Sequence, residues 1–288
     1  MRALAVVPVL SLALAVSAAA VDITTCGQSV ADADIGILQV DLDCSAQAGV
    51  CVHRDFADQE VACSAQSDCQ PPTSNPCAKT AVTLGAGAIL QLNGHTITGA
   101  GVLCSDAGIC GVAGPGSILS APVGVLARKK LIVAETTIDG GVYGIVSRLG
   151  GAILSNVTLT DNTSDGIWSW KGTIRANGVV ATGNGGSGLY ATLKPVVARD
   201  TTSSNNGGHG IDGYPSRGVN LTIEDNIGFG IVSEKGLSVR DSTITGNGLT
   251  YGGLDVASFR RPRVRNTVCD HSVDRSGGAG NWGVCALD

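Results

Sequence analysis

The 288-residue chain is short of several things. It carries 10 aromatic side chains (3 Trp, 4 Tyr, 3 Phe) and one Met, and only 15% of its positions are charged. Ordinary proteins have about 25% charged residues, so the polar faces of long helices lack material, and a helical bundle or coiled coil is excluded. After the N-terminus no apolar run reaches the ~20 residues a helix needs to span a bilayer. A net charge of −5 and a pI near 5.3 give no overall positive field for a phosphate backbone, so nucleic acid is not an expected partner. What the chain does have is 41 Gly, 10 Cys and 43% apolar residues. That is enough apolar material for a core, and wholesale disorder is excluded as well.

Arg2, the apolar residues 3–16 and Ala18-Ala19-Ala20 have the order of a secretory signal with a small-residue cleavage site. The expectation is a signal over residues 1–20, a mature chain from Val21, and a secreted product, extracellular or periplasmic, without membrane insertion. No cysteine stands at the cleavage point, which argues against a lipoprotein.

Export changes what ten cysteines mean, because in an oxidising compartment an even count reads as disulfides. The local spacings suggest Cys26 with Cys44, Cys104 with Cys110, and Cys269 with Cys285. Cys51, Cys63, Cys69 and Cys77 would form two further bonds whose pairing the spacing leaves open. A zinc site from Cys51, His53, Cys63 and Cys69 is the competing arrangement, although its spacing fits no usual paired-ligand pattern.

From Gly101 onward a glycine followed by an aliphatic residue recurs, at Gly101, Gly124, Gly144, Gly166, Gly188, Gly210, Gly230 and Gly253, at intervals of 23, 20, 22, 22, 22, 20 and 23. Asn162, Asn184, Asn206, Asn226 and Asn247 keep the same beat. Two residue types sharing one period identify a repeat protein. The Leu-x-x-Leu-x-Leu frame of a leucine-rich repeat is missing, so the expected fold is an all-β parallel solenoid. Ile167, Leu189, Ile211 and Ile231 would stack inside it, and the asparagines would bond from coil to coil at a turn. The sequons at Asn156, Asn162 and Asn220 are assigned to turns, with Asn162 in the asparagine ladder.

Leu92-Asn93-Gly94-His95-Thr96-Ile97-Thr98-Gly99, followed by coils with Gly-Ile and a later Asn, resembles the secreted right-handed parallel β-helix proteins, the superfamily that includes pectate lyases and polygalacturonases. The resemblance covers residues 80–268 and implies a single-stranded right-handed β-helix without specifying an activity. The domain reading is a disulfide-rich N-terminal cap and first coil over 21–80, the β-helix over 81–268, and a C-terminal disulfide cap over 269–288. Arg260, Arg261, Pro262, Arg263 and Arg265 read as protection of the last strand's edge.

If the aliphatic residue after each Gly points inward, two outward columns follow. The first is Leu126, Val146, Trp168, Tyr190, Asp212, Val232 and Asp255; the second is Arg128, Arg148, Trp170, Thr192, Tyr214, Glu234 and Ala257. Trp168, Trp170, Tyr190 and Tyr214 would form a sugar-binding patch bordered by Arg148, Lys171, Asp212 and Glu234. Asp212 and Glu234, with Cα atoms about 8 Å apart by strand geometry, have a spacing that suits an inverting hydrolase. Gly208-His209-Gly210 resembles a polygalacturonase motif and makes His209 a further catalytic candidate, but the Asp-Asp pair and the Arg-Ile-Lys of that family are missing. A lyase would draw on Arg148, Lys171 and Lys194 with Asp165 and Asp212, and only that chemistry would bring in a cofactor, Ca²⁺. The expected function is binding, with or without cleavage, of an extracellular acidic polysaccharide; the alternative is a noncatalytic structural or adhesive surface protein.

Overall fold

The computed structural model describes residues 18–51, 62–64, 69, 77–105, 108–248, 254–276 and 280–288. Residues 1–17, most of the expected signal, lie outside the described residues, as do His53 and Gly253.

One coil shows how the sequence makes the fold. After Gly166 the strand Ile167–Ser169 forms, a tight corner follows, and the chain returns as Ile174–Asn177 and Val180–Thr182. Gly178 and Gly183 bend it at φ +65° and +68°, and a turn holding Asn184 delivers it to the next coil at Leu189–Ala191. Each strand pairs in parallel with the coils on either side, so Ile167 lies between Ile145 and Leu189. Repetition builds a β-solenoid of about nine turns with two sheets, of 17 and 13 strands. Among the described residues there is no helix.

The two bends recur in every coil at left-handed positions. The first column is Glu135, Asn156, Gly178, Asp200, Asn220, Asp241 and Asn266; the second is Ser120, Gly140, Asp161, Gly183, Asn205, Asp225 and Gly246. Gly, Asn and Asp dominate because they tolerate positive φ at least cost. Asn156 and Asn220 therefore serve bends, as expected from sequence.

The Gly-aliphatic beat has a different cause. These glycines have ordinary φ, but a Cβ on Gly144, Gly166 or Gly210 would stand 2.5, 2.7 or 2.7 Å from the carbonyl oxygen of the equivalent glycine one coil on. Val102, Val125, Ile145, Ile167, Leu189, Ile211, Ile231 and Val256 form the inward column and are all at most 2% exposed. At the far end of the same strands, small residues fill the corner, where Ser169 and Ser233 donate through Oγ to the carbonyls of Gly172 and Gly236 at 2.8 and 2.7 Å.

The asparagine ladder is present. Nδ2 of Asn162, Asn184, Asn206 and Asn226 donates to Oδ1 of the next member at 2.8, 2.9, 2.8 and 2.7 Å. All five asparagines are at most 1% exposed.

The last coil breaks phase. Ile231 pairs with Val256, not with Leu254, so Asp255 takes the glycine position instead of the first outward column. Ala257, expected in the second column, pairs with Val232 in the first. Asn247 stands eight residues before the glycine position, where Asn226 stands four before Gly230, so four extra residues precede this strand; pairing follows the inward aliphatic residue and not the spacing from the previous glycine.

Five disulfides join Cys26 to Cys44, Cys51 to Cys69, Cys63 to Cys77, Cys104 to Cys110 and Cys269 to Cys285. Cys51, Cys63 and Cys69 lie within metal-binding reach of one another only because two disulfides pack side by side. Their sulfurs are bonded, no thiolate remains to ligate zinc, and that arrangement falls. Parallel stacking also begins within the expected cap: Gln28–Val30, Ile35–Leu38 and Leu42–Asp43 pair with the coil above. The antiparallel strands Gly49–Cys51 and Ala62–Cys63 carry the insertion that the two central disulfides staple.

Candidate functional site

The face read from sequence lies on the outside of the short-stranded sheet. Backbone pairing sets Leu126, Val146, Trp168, Tyr190, Asp212 and Val232 side by side in successive coils, as the repeat predicts. Facing away from the lumen is nevertheless different from facing solvent. Trp168 is 2% exposed and packs with Leu126, Tyr143, Val146, Val123 and Ala78 in a second apolar cluster. Its ring lies 6.3 Å from that of Tyr143, and its Nε1 donates to Thr192 Oγ1 at 3.1 Å. Arg148 is 2% exposed as well. Trp168 and Arg148 are thus withdrawn from any polymer surface, and the rings do not assemble into one exposed cluster.

What remains toward solvent is a corner. The second column is Arg128, Arg148, Trp170, Thr192, Tyr214 and Glu234, ending on Phe259 in place of the expected Ala257, because Phe259 N–H donates to the Ser233 carbonyl. Trp170, Tyr190, Asp212 and Tyr214 are partly exposed, and Lys171 and Glu234 are exposed. The Lys171 Nζ sits 4.4 Å from the Trp170 ring centroid, and the Lys235 Nζ sits 4.8 Å from that of Tyr214. Leu149 and Leu193 flank Lys171 in the neighbouring coils at 48% and 45% exposure. Lys235, Leu149 and Leu193 were missed from sequence. The signal was available in the position just after the second outward column, which reads Lys129, Leu149, Lys171, Leu193, Pro215 and Lys235 over six coils.

The catalytic candidates are spread out. Asp212 pairs with Val232, which puts Glu234 one coil and two residues away, the diagonal that the repeat implies. His209 lies at the opposite end of the strand Ile211–Gly213, in the turn that precedes it. Its Nδ1 accepts the Phe229 N–H at 2.9 Å, and its ring stacks on Phe229 at 5.2 Å. Burial, helped by the nearby Arg275 charge, lowers its pKa to about 4. His209 is therefore neutral at physiological pH, with its proton on Nε2. Asp165, invoked for a lyase, is buried and accepts the Ser187 N–H through Oδ1 at 2.7 Å.

Residues 123–268, just over half of the chain, match the family model described as the right handed beta helix region. The chain belongs to the right-handed β-helix family. No curated protein and no solved structure matches it. Membership gives this β-helix its winding and hand, and an activity has to be argued from its own surface. Five disulfides suggest an oxidising compartment for this β-helix protein. Among its described residues no helix is long and apolar enough to cross a membrane.

Proposed function

We propose that this chain is a secreted β-helix protein that binds an extracellular polysaccharide at the corner formed by Trp170, Lys171, Tyr190, Tyr214 and Lys235, and that it holds the polymer without cleaving it. The observation that carries the reading is the pair of lysine-capped aromatic rings, Lys171 over Trp170 and Lys235 over Tyr214, two coils apart. At about 4.8 Å per coil they stand roughly 10 Å from each other along the axis. An aromatic edge supports the apolar face of a sugar ring, and a lysine beside it meets a hydroxyl or carboxylate. Asp212 and Glu234 add acceptors on the same corner.

Binding is favoured over hydrolysis by the distance of His209 from this corner and by the commitment of its Nδ1 to the Phe229 amide. The test is a polysaccharide array scored for both retention and released reducing ends. Wild type is expected to retain at least one polysaccharide and release nothing, and Trp170→Ala with Tyr214→Ala is expected to weaken retention at least tenfold. Unchanged retention by the double variant would remove the corner as the site. Release of products that Asp212→Asn abolishes would replace binding with hydrolysis.

A further inference from the structure

The outer face of the long sheet carries a feature that neither the corner nor the fold requires. Its parallel register lines up two outward columns, one of Arg175, Val197, Arg217, Ser238 and Arg263, the other of Asn177, Arg199, Val219, Arg240 and Arg265. Five successive coils thus each present an arginine, alternating between columns as Arg175, Arg199, Arg217, Arg240 and Arg263, with Arg265 completing the last coil. All six are exposed. Beside them a groove of ≈ 600 Å³ runs from the Tyr214 corner onto this face, lined by Arg217, Lys235, Arg260, Arg261 and Arg263 among others. A chain of net charge −5 has therefore gathered a large share of its 19 cations on one surface.

Protection of the sheet edge accounts only for the end of this track. The strand Arg263–Arg265 closes the stack on this face, and like charges there discourage pairing with another chain. Arg175, Arg199, Arg217 and Arg240 stand on strands already paired on both sides, where no edge needs guarding. Among the described residues a carboxylate meets one of the six, Asp241 with Arg240 at 3.3 Å. Mutual repulsion along the track is a cost that folding does not require.

We propose that this arginine track binds a linear acidic polysaccharide carrying one carboxylate or sulfate per sugar ring, laid along the solenoid axis. Successive coils advance about 4.8 Å. A ring linked across its 1- and 4-positions advances roughly 5 Å, little more than three bond lengths of ~1.5 Å. One guanidinium per coil therefore meets one acid group per ring, in register over about 19 Å. The two columns are offset by about 6.6 Å, which suits acid groups that project alternately to the two sides of an extended chain. A nucleic acid fits less well, since its charges come every ~3.4 Å along a strand and neither column holds an aromatic platform for bases. The proposal rests on the polysaccharide reading above for the class of polymer, but its contacts are the arginines of the long sheet, and Lys235 is where that surface meets the corner.

The test measures binding of the intact, disulfide-bonded protein to alginate, which has one carboxylate per ring, to uncharged dextran, and to single-stranded DNA at matched salt. Wild type is expected to prefer alginate at least tenfold over both, with affinity that falls as salt rises. Arg217→Gln with Arg240→Gln and Arg263→Gln should weaken alginate at least tenfold and flatten the salt dependence by about 0.7 to 0.9 log units per contact removed. The corresponding triple Lys variant should keep most of the affinity, which separates lost charge from lost folding. Trp170→Ala with Tyr214→Ala removes no charge and should leave the salt dependence of alginate binding as it is in wild type, whatever it does to retention at the corner. Equal alginate affinity in the Gln variant, or DNA binding as tight as alginate, overturns the track. Loss of alginate binding in the aromatic variant alone also overturns it, while leaving the corner in place.

Discussion

Asn247 donates from Nδ2 to Oδ1 of Asp255 at 2.9 Å, so that the buried asparagine ladder ends on a carboxylate. Every earlier member donates to the next asparagine, and each one after Asn162 accepts from the one before. The last must meet a group that only accepts, because Oδ2 of Asp255 takes the Asp270 N–H at 2.6 Å. An asparagine at 255 would turn an N–H group toward that amide. Asp255→Asn is therefore expected to destabilise the fold at neutral pH by about 1–3 kcal/mol. Burial raises the Asp255 pKa, with opposing pull from hydrogen bonds donated by Asn247 and Asp270. A raised folded-state pKa contributes stability that is complete below the unfolded value near 3.8 and lost as pH rises through the folded value. The gap between wild type and variant should consequently widen on acidification, as read by urea unfolding at several pH values. A narrowing gap would show that the hydrogen bonds outweigh burial.

Interruption within the ladder should cost more than an exposed hydrogen bond. Asn206 accepts from the N–H and Nδ2 of Asn184 at 3.1 and 2.9 Å and donates to Asn226 and to the Ala181 carbonyl at 2.8 and 3.2 Å. Asn206→Ala leaves these groups buried and unanswered, at about 1–3 kcal/mol for each uncompensated group. A fall in thermal midpoint of several degrees is the expected result, and a change under about 2 °C would show that water enters the turn.

The glycine beat yields a separate expectation. In Gly166→Ala the new Cβ would lie 2.7 Å from the Gly188 carbonyl oxygen and 3.3 Å from the Leu159 Cβ. Neighbouring coils must separate locally, and overpacking of this kind costs about 1–3 kcal/mol. Gly236→Ala is the control, because nothing lies within 4 Å of its Cβ position. The two variants should differ clearly in denaturation midpoint.

Periodicity makes the inward column and the asparagine ladder legible in the sequence, because stacking equivalent residues leaves a mark at every turn, and short local spacings do the same for three of the five disulfides. Phase at Asp255 is not legible, since the four extra residues ahead of this strand bring in a further glycine-aliphatic pair, Gly253-Leu254, that keeps the beat in the sequence. The burial of Trp168 and Arg148 is hidden for another reason. Alternation along a strand says which side of the sheet a residue faces, and it is silent on what packs over that side. The arginines of the track stand in the sequence at the same period, but on the strand after the corner, outside the beat that the glycines mark.

His209 supplies the clearest pH signature. Its pKa is lowered from 6.5 to about 4 by burial and by the Arg275 charge, so between those values the unfolded chain binds a proton that the folded one refuses. Stability is then fully present above pH 6.5, declines as pH falls through the window, and has lost this contribution below about 4. The full effect is about 3 kcal/mol, at about 1.36 kcal/mol per unit of pKa. His209→Asn keeps an acceptor, since an amide oxygen can take the place of Nδ1 toward the Phe229 N–H, but it has no proton to gain. Unfolding free energies for the variant should be flatter than wild type between about pH 4 and 6.5 and similar to it at about pH 7.5. Parallel curves would mean that the imidazole takes up its proton without leaving the Phe229 amide, which its hydrogen bond through Nδ1 forbids.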